Sequence, residues 1–439
     1  MATVLKVPLI LYLLAVLAGR HVHCKSNGAA AGLYDVTEYG AAPSSEDNKD
    51  AFLAAWRAAC SSTTRNATLL IPEGTFAVGA VEFSGPCKSG DAPVVVIDGV
   101  LRPCTGGCHL TDDDWIFSAL SNLLITGAGT LDGQGGARTN KARTTVITPA
   151  ANTESIKFVS FPFTERDGEV ILPAIAQTLE LDGVTNSTVR GLRFVDSRGF
   201  HVSFHRSSRV AAEGLRIHAP ASSRNTDGIH VGCSSHVRIT DSVIGTGDDC
   251  VSVGPGSSDV VVTGIVCGPG HGISVGSLGR EEGEEDVRGL VIRNCTVRGT
   301  TNGVRIKTWP GSPPGRASNI TFEDIIMADV SNPILIDQRY CPHGRCSDVD
   351  KPSRVQISDV TFRRIEGTSS SKVAVQLRCS EEQPCSGVRL DGIKGRPPWR
   401  RRRPACGFKK LTCCHQTLNN QPFSKMRPTQ GLTLVDFSL

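Results

Sequence analysis

Hydrophobic positions in this chain fall in short Val- and Ile-rich runs, alternating with small or polar residues and separated by Gly-containing turns. Three of these runs repeat at a fixed distance. In NTDGIHV (Asn225–Val231), GDDCVSV (Gly247–Val253) and GHGISV (Gly270–Val275), the residues Asp227, Asp249 and His271 are each 22 positions apart. With Ile229, Val251 and Ile273 as strand starts, the next candidates are Val304 and Ile334, so the interval widens to about 30 where loops are inserted. One strand per repeat of this length predicts a solenoid, in which each repeat forms one coil and equivalent positions stack into columns about 4.8 Å apart per rung. The expected fold class is therefore all-β, in a single solenoid domain. Alternation sends Ile229/Val231, Val251/Val253, Ile273/Val275 and Val304/Ile306 inward. It sends His230, Ser252, Ser274 and Arg305 outward, followed by Gly232, Gly254, Gly276 and Lys307. Small outward residues suit a groove floor, with two cations at its end. Asp227, Asp248 and Asp249 lie in turns, where alternation gives no facing.

Helical periodicity is clear only in Asp47–Cys60, where Phe52, Ala55, Trp56 and Ala59 share a face and Ser44, Ser45 or Asp47 can serve as N-cap. A single amphipathic helix ahead of the strands is expected to cap the open end of the solenoid. The first residues, MATVLKVPLILYLLAVLAG, are apolar over a stretch too short for a membrane span and read as a secretory signal peptide cleaved between Gly19 and Cys24. A transmembrane anchor is the rival reading. No later stretch is apolar enough to span, so a soluble secreted protein with no membrane contact after cleavage is expected. Sixteen cysteines behind such a leader imply disulfides, with Cys60–Cys87, Cys104–Cys108, Cys250–Cys267, Cys341–Cys346 and Cys379–Cys385 as local pairs. Metal binding is the alternative use of cysteine, but no pair of matched CxxC motifs is present. Sequons occur at Asn66, Asn186, Asn294 and Asn319.

The formal charge of +4 is unevenly distributed: nine Lys/Arg face one Asp after Lys394, which leaves 38 basic and 42 acidic residues before it. Arg400–Arg403 lacks interleaved aromatics and follows a leader, so a solvated tail is favoured over nucleic-acid binding. The chain divides into a signal peptide (1–24), a solenoid domain (33–394) with an atypical insertion at 139–170, and a basic tail (395–439) expected to be irregular.

The column of two acids and an imidazole, with Asp248 beside the middle acid, suits general acid–base chemistry on a bound polymer. Acids capping solenoid turns are the bland alternative. YDVTEYGA (Tyr34–Ala41), NTDGIH (Asn225–His230), GTGDDCVSVG (Gly245–Gly254), GPGHGISVGSLGR (Gly268–Arg280), RIK (Arg305–Lys307) and ILIDQRYC (Ile334–Cys341) together resemble the plant polygalacturonases over about residues 34–394. GPCK (Gly85–Lys88) and GPGHGISVGSLGR look most similar to the pollen-type exopolygalacturonase branch. The resemblance implies a right-handed parallel β-helix and an inverting hydrolase of pectin (homogalacturonan), monomeric, secreted to the cell wall and in need of no metal or cofactor. It makes Asp248 the general acid, has Asp227 and Asp249 hold the hydrolytic water, and has His271 support protonation of the acid. Arg305 and Lys307 would bind the substrate carboxylate, and Tyr340 would line a sugar subsite, although Cys341 beside it also fits a disulfide corner. His230 reads as a groove-wall residue. Two segments depart from the family pattern: Gly136–Val170 lacks Trp and Cys, and the residues after Lys394 replace a Cys-containing end. Another pectic polymer, such as xylogalacturonan or rhamnogalacturonan, and a non-catalytic wall-binding protein are the remaining alternatives.

Overall fold

A computed structural model describes residues 32–64, 66–104, 115–135, 177–342, 344, 346 and 348–396. The expected signal peptide, the insertion at 139–170, the tail beyond Arg396 and Cys108 of the Cys104–Cys108 pair lie outside these residues.

The chain winds as a right-handed parallel β-helix in which every strand pairing is parallel. Among the described residues, ten strands, from Val81–Ser84 to Val375–Arg378, form one sheet, and the remaining strands of the coils make up a 20-stranded second sheet. The repeat expected from sequence is the register observed. Ile229 pairs with Val251, Val251 with Ile273, Ile273 with Val304, and Val304 with Ile334. These five residues are at most 1% exposed. Fully burying each such side chain stabilises the fold by about 1.5–3 kcal/mol, so the stacked columns supply the core. Further along the solenoid, Phe322 and Phe362 stack with centroids 5.1 Å apart.

The helix Lys49–Cys60 covers the first coils with Phe52, Ala55, Trp56 and Ala59, the face expected. Trp56 packs against Phe83 and Phe117, and Cys60–Cys87 ties the helix end to the coil beneath. The N-cap differs from expectation: Asn48 occupies it, not Ser44, Ser45 or Asp47. Its side chain accepts from the Ala42 N–H and donates to the Ala77 carbonyl, so it fastens the helix to a neighbouring coil instead of closing the helix's own amides. Asp47 accepts from the Lys49 N–H from one position earlier. Four expected disulfides form: Cys60–Cys87, Cys250–Cys267, Cys341–Cys346 and Cys379–Cys385. The last described strand, Lys394–Arg396, still pairs with the preceding coil, two residues past the expected domain boundary. No helix among the described residues is long and apolar enough to cross a membrane.

Candidate active site

The site is carried by three turns that enter adjacent strands of the ten-stranded sheet, the third bringing His271 to the strand Ile273–Leu278. Asp227 precedes the strand Ile229–Gly232, and Asp248 and Asp249 precede Val251–Val253. These turns require close backbone approach. A Cβ on Gly247 would lie 1.9 Å from the Ser223 carbonyl oxygen, and one on Gly270 would lie 2.5 Å from that of Asp248. The second approach lets the His271 N–H donate to the Asp248 carbonyl at 2.8 Å. His201, fully buried, contacts the Asp227 carbonyl through Nδ1 at 2.9 Å, and burial keeps it neutral by lowering its pKa to about 4.

The three carboxyls occupy unlike surroundings. Asp249 is fully buried and accepts from Ser274 Oγ (2.8 Å), Arg305 Nη2 (2.8 Å) and Lys307 Nζ (2.7 Å). Burial alone would raise its pKa, but the charges of Lys307 and Arg305, with the hydrogen bonds from Lys307 and Ser274, hold it below the ordinary carboxylate value. Asp227 is buried beside Asp248 and Asp249. Desolvation first, and those two charges second, push its pKa well above the ordinary value against opposition from Lys307 and Ser252. Ser252 Oγ donates to Asp227 Oδ2 at 2.6 Å. Asp248 is the carboxyl that reaches the surface, with 21% of its side chain exposed. Its Oδ1 accepts from the Asp249 N–H at 2.8 Å and meets His271 Nδ1 at 2.9 Å, so Oδ2 is the oxygen left for a ligand.

The structure thus brings together every residue singled out from the motifs, with two differences in detail. Ser252 and Ser274 are not an open floor: both are buried beneath the acids and bonded to them. Arg305 and Lys307 are each 7% exposed and spend contacts on Asp249, so their charge is not freely displayed to the groove. Arg305 uses Nε and one Nη in these bonds, and its other Nη nitrogen remains. Tyr340 stands over both cations, 5.0 Å from Lys307 Nζ and 5.6 Å from the Arg305 guanidinium carbon. Its neighbour Cys341 is also in a disulfide, so the ring and the corner coexist. Sequence reasoning missed Trp309, which meets the Tyr340 ring at 5.4 Å and carries Arg280 over its own face at 5.1 Å. Its place two residues after Lys307 was the available signal. His201 had none, because it lies outside the repeated motifs.

Asp248, Asp249 and His271 offer atoms within 4.8 Å of one another, a spacing that could suit a cation. Two buried cations already neutralise Asp249, however, so this donor set is poorly suited to a divalent ion. What the arrangement can do is favour the ionised form of Asp249, favour the neutral form of Asp227, and present Asp248 to a ligand.

A model of the glycosyl hydrolases family 28 matches residues 60–396. The chain is 40% identical to an exopolygalacturonase of Platanus acerifolia over 83% of its own length and 90% of that protein's. It is 42% identical to an exopolygalacturonase of Oenothera organensis over 79% and 89%. A solved exopolygalacturonase from Thermotoga maritima superimposes with a TM-score of 0.63 at 17% identity, covering 83% of this chain and 86% of that one, a likeness of fold. The acid column on a parallel β-helix and the extent of these matches make the chain a member of glycosyl hydrolase family 28.

Proposed function

We propose that the protein is a secreted polygalacturonase, hydrolysing α-1,4-galacturonosidic bonds of homogalacturonan in the cell wall and removing residues from the chain end. The observation that supports it most is the division of labour among three adjacent carboxyls. Asp248, exposed and braced by His271, protonates the glycosidic oxygen through Oδ2. Ionised Asp227 takes a proton from the attacking water, and Asp249 helps hold that water. Burial and the charges of Asp248 and Asp249 raise the pKa of Asp227, so hydrolysis needs conditions in which that carboxyl has lost its proton. The remaining donors of Arg305 and Lys307 hold a galacturonate carboxylate, and Tyr340 forms one wall of the subsite. Relatives named exopolygalacturonase support end-wise attack.

The spacing of Asp248 and Asp249 is shorter than the roughly 6.5–9.5 Å common between the carboxyls of inverting enzymes. Asp249 is nevertheless a poor candidate nucleophile, since three donors already occupy its oxygens. Attack by water, with inversion, is the reading its bonding favours. Digestion of polygalacturonate followed by product sizing tests the proposal. Monogalacturonate as the first product, with little early fall in viscosity, is expected. A ladder of intermediate oligomers would overturn end-wise attack, and no reducing-end release would overturn hydrolysis.

A further inference from the structure

Nothing in the chemistry above uses His230, yet its ring is held from several sides. It stacks on Phe200 with centroids 4.7 Å apart and 24° between planes. The packing around it is close, since a Cβ on Gly232 or Gly254 would come within 3.3 or 3.2 Å of the ring. Its Nδ1 lies 2.8 Å from Ser252 Oγ, the same hydroxyl that donates to Asp227 at 2.6 Å.

A serine hydroxyl has one proton, so Ser252 can donate in only one direction at a time. While it donates to Asp227 it must accept from an Nδ1–H of His230. Reversed, it donates to Nδ1 and accepts the carboxyl proton of Asp227, and His230 then carries its proton on Nε2. The first arrangement leaves a bare ring nitrogen. The second moves the proton to Nε2 of a half-buried ring, where only solvent is left to accept it.

The next position along the column shows the same device in locked form. Ser274 donates to Asp249 and accepts from Arg305 Nε, a group with no lone pair, so that hydroxyl cannot reverse. His230, Ser252, Ser274 and Arg305 are consecutive members of one register column. Each serine is thus flanked by one donor and serves one acid.

We infer that His230 is a positioning residue that, acting through Ser252, favours the ionised form of Asp227, the form that takes the proton of the attacking water. This rests on the hydrolytic reading above. His230 stays a neutral donor because burial lowers its pKa to about 4, helped by His205 and Lys307 and opposed by Asp249. His205 is itself kept cationic by Asp182 and Cys233, with a pKa raised to about 9. The charged groups facing Asp227 are Asp248, Asp249 and Lys307.

The test is the pH profile of kcat/KM on polygalacturonate, whose acid limb reports ionisation of Asp227. Losing a donor to the carboxylate raises its pKa, so the limb moves to higher pH. Ser252→Ala should move it up by about one to two units. His230→Phe keeps the ring but not the donor, and should move it up by about 0.2–0.7 unit through loss of cooperative polarisation. His230→Asn loses the ring but places an amide N–H near the Nδ1 position, and should restore the wild-type limb. The reverse order, with His230→Phe normal and His230→Asn shifted, would reduce His230 to packing, and an unshifted Ser252→Ala would also overturn the inference. Imidazole ¹⁵N NMR of the unaltered protein needs no substitution: protonated Nδ1 is expected near neutral pH, and protonated Nε2 would contradict the relay. Asp248→Asn measured alongside separates the two levels. Inactive Asp248→Asn with unmoved limbs would refute the relay alone, whereas active Asp248→Asn would refute the reading beneath it.

Discussion

Replacing Lys307 by Met removes one of two cations from a carboxylate that has no access to water, while keeping most of the side-chain volume. At 2.7 Å, the Lys307–Asp249 pair attracts by about 6 kcal/mol in an effective dielectric of about 20. Several kcal/mol of ammonium desolvation offset much of that. The variant nevertheless loses stability, because Asp249 remains buried and charged. Breaking a buried pair costs about 3–5 kcal/mol, and with Arg305 still 2.8 Å away the lower end, about 3 kcal/mol, is expected. Asp249→Asn alone leaves two buried cations facing a neutral amide and should also destabilise. The double variant should then lose less than the sum of the singles, with a coupling of about 2–3 kcal/mol. Urea unfolding followed by tryptophan fluorescence measures all four corners of the cycle. Because the folded pKa of Asp249 is depressed, its stabilisation is present above the unfolded carboxylate value and lost as pH falls through the folded one. In Lys307→Met, that loss should begin at higher pH. Coupling below about 0.5 kcal/mol would refute the buried clamp.

Three further outcomes are expected. The first product seen by ¹H NMR should be the β-anomer, from inversion at an α-linkage, and an initial α-anomer would show that a carboxylate attacks instead of water. Asp227→Asn should abolish turnover yet raise stability at neutral pH by about 0.5–2 kcal/mol. The sign follows because the raised folded pKa makes Asp227 favourable only at low pH, an advantage lost as pH rises through that value; a less stable variant at pH 8 would contradict it. Replacing Cys250 and Cys267 with Ala should cost about 3 kcal/mol through loss of a 17-residue closure and lower kcat, since Cys250 adjoins Asp249. Unchanged stability would show that strand pairing alone holds the turn.

The fold was legible because a solenoid writes its register into the sequence. A 22-residue interval between Ile229 and Val251, and again to Ile273, is the pairing observed. The site was legible in membership but less so in bonding. Alternation correctly sent Ser252 and Arg305 to the outer face, but it carries no information about what turns fold back over that face. Asp227 and Asp249 leave the turns and come down onto Ser252 and Ser274, which converts a supposed open floor into a bonded layer. The clamp of Arg305 and Lys307 on Asp249 spans 56 and 58 positions of sequence, and nothing short of the coil geometry places those groups within 3 Å. The N-cap was misassigned because Asn48 answers to a neighbouring coil, a tertiary demand that helix-start signals do not contain.

The most direct test of the central assignment is the initial rate of reducing-end release from polygalacturonate by the unaltered protein and by Asp248→Asn. The substitution retains shape and removes only the proton that Oδ2 would deliver. A fall of about 10²- to 10⁴-fold, with substrate binding retained, is expected for loss of a positioned general acid. A variant that keeps more than about a tenth of the rate, where a general acid should supply at least 10²-fold, would show that Asp248 is not that acid.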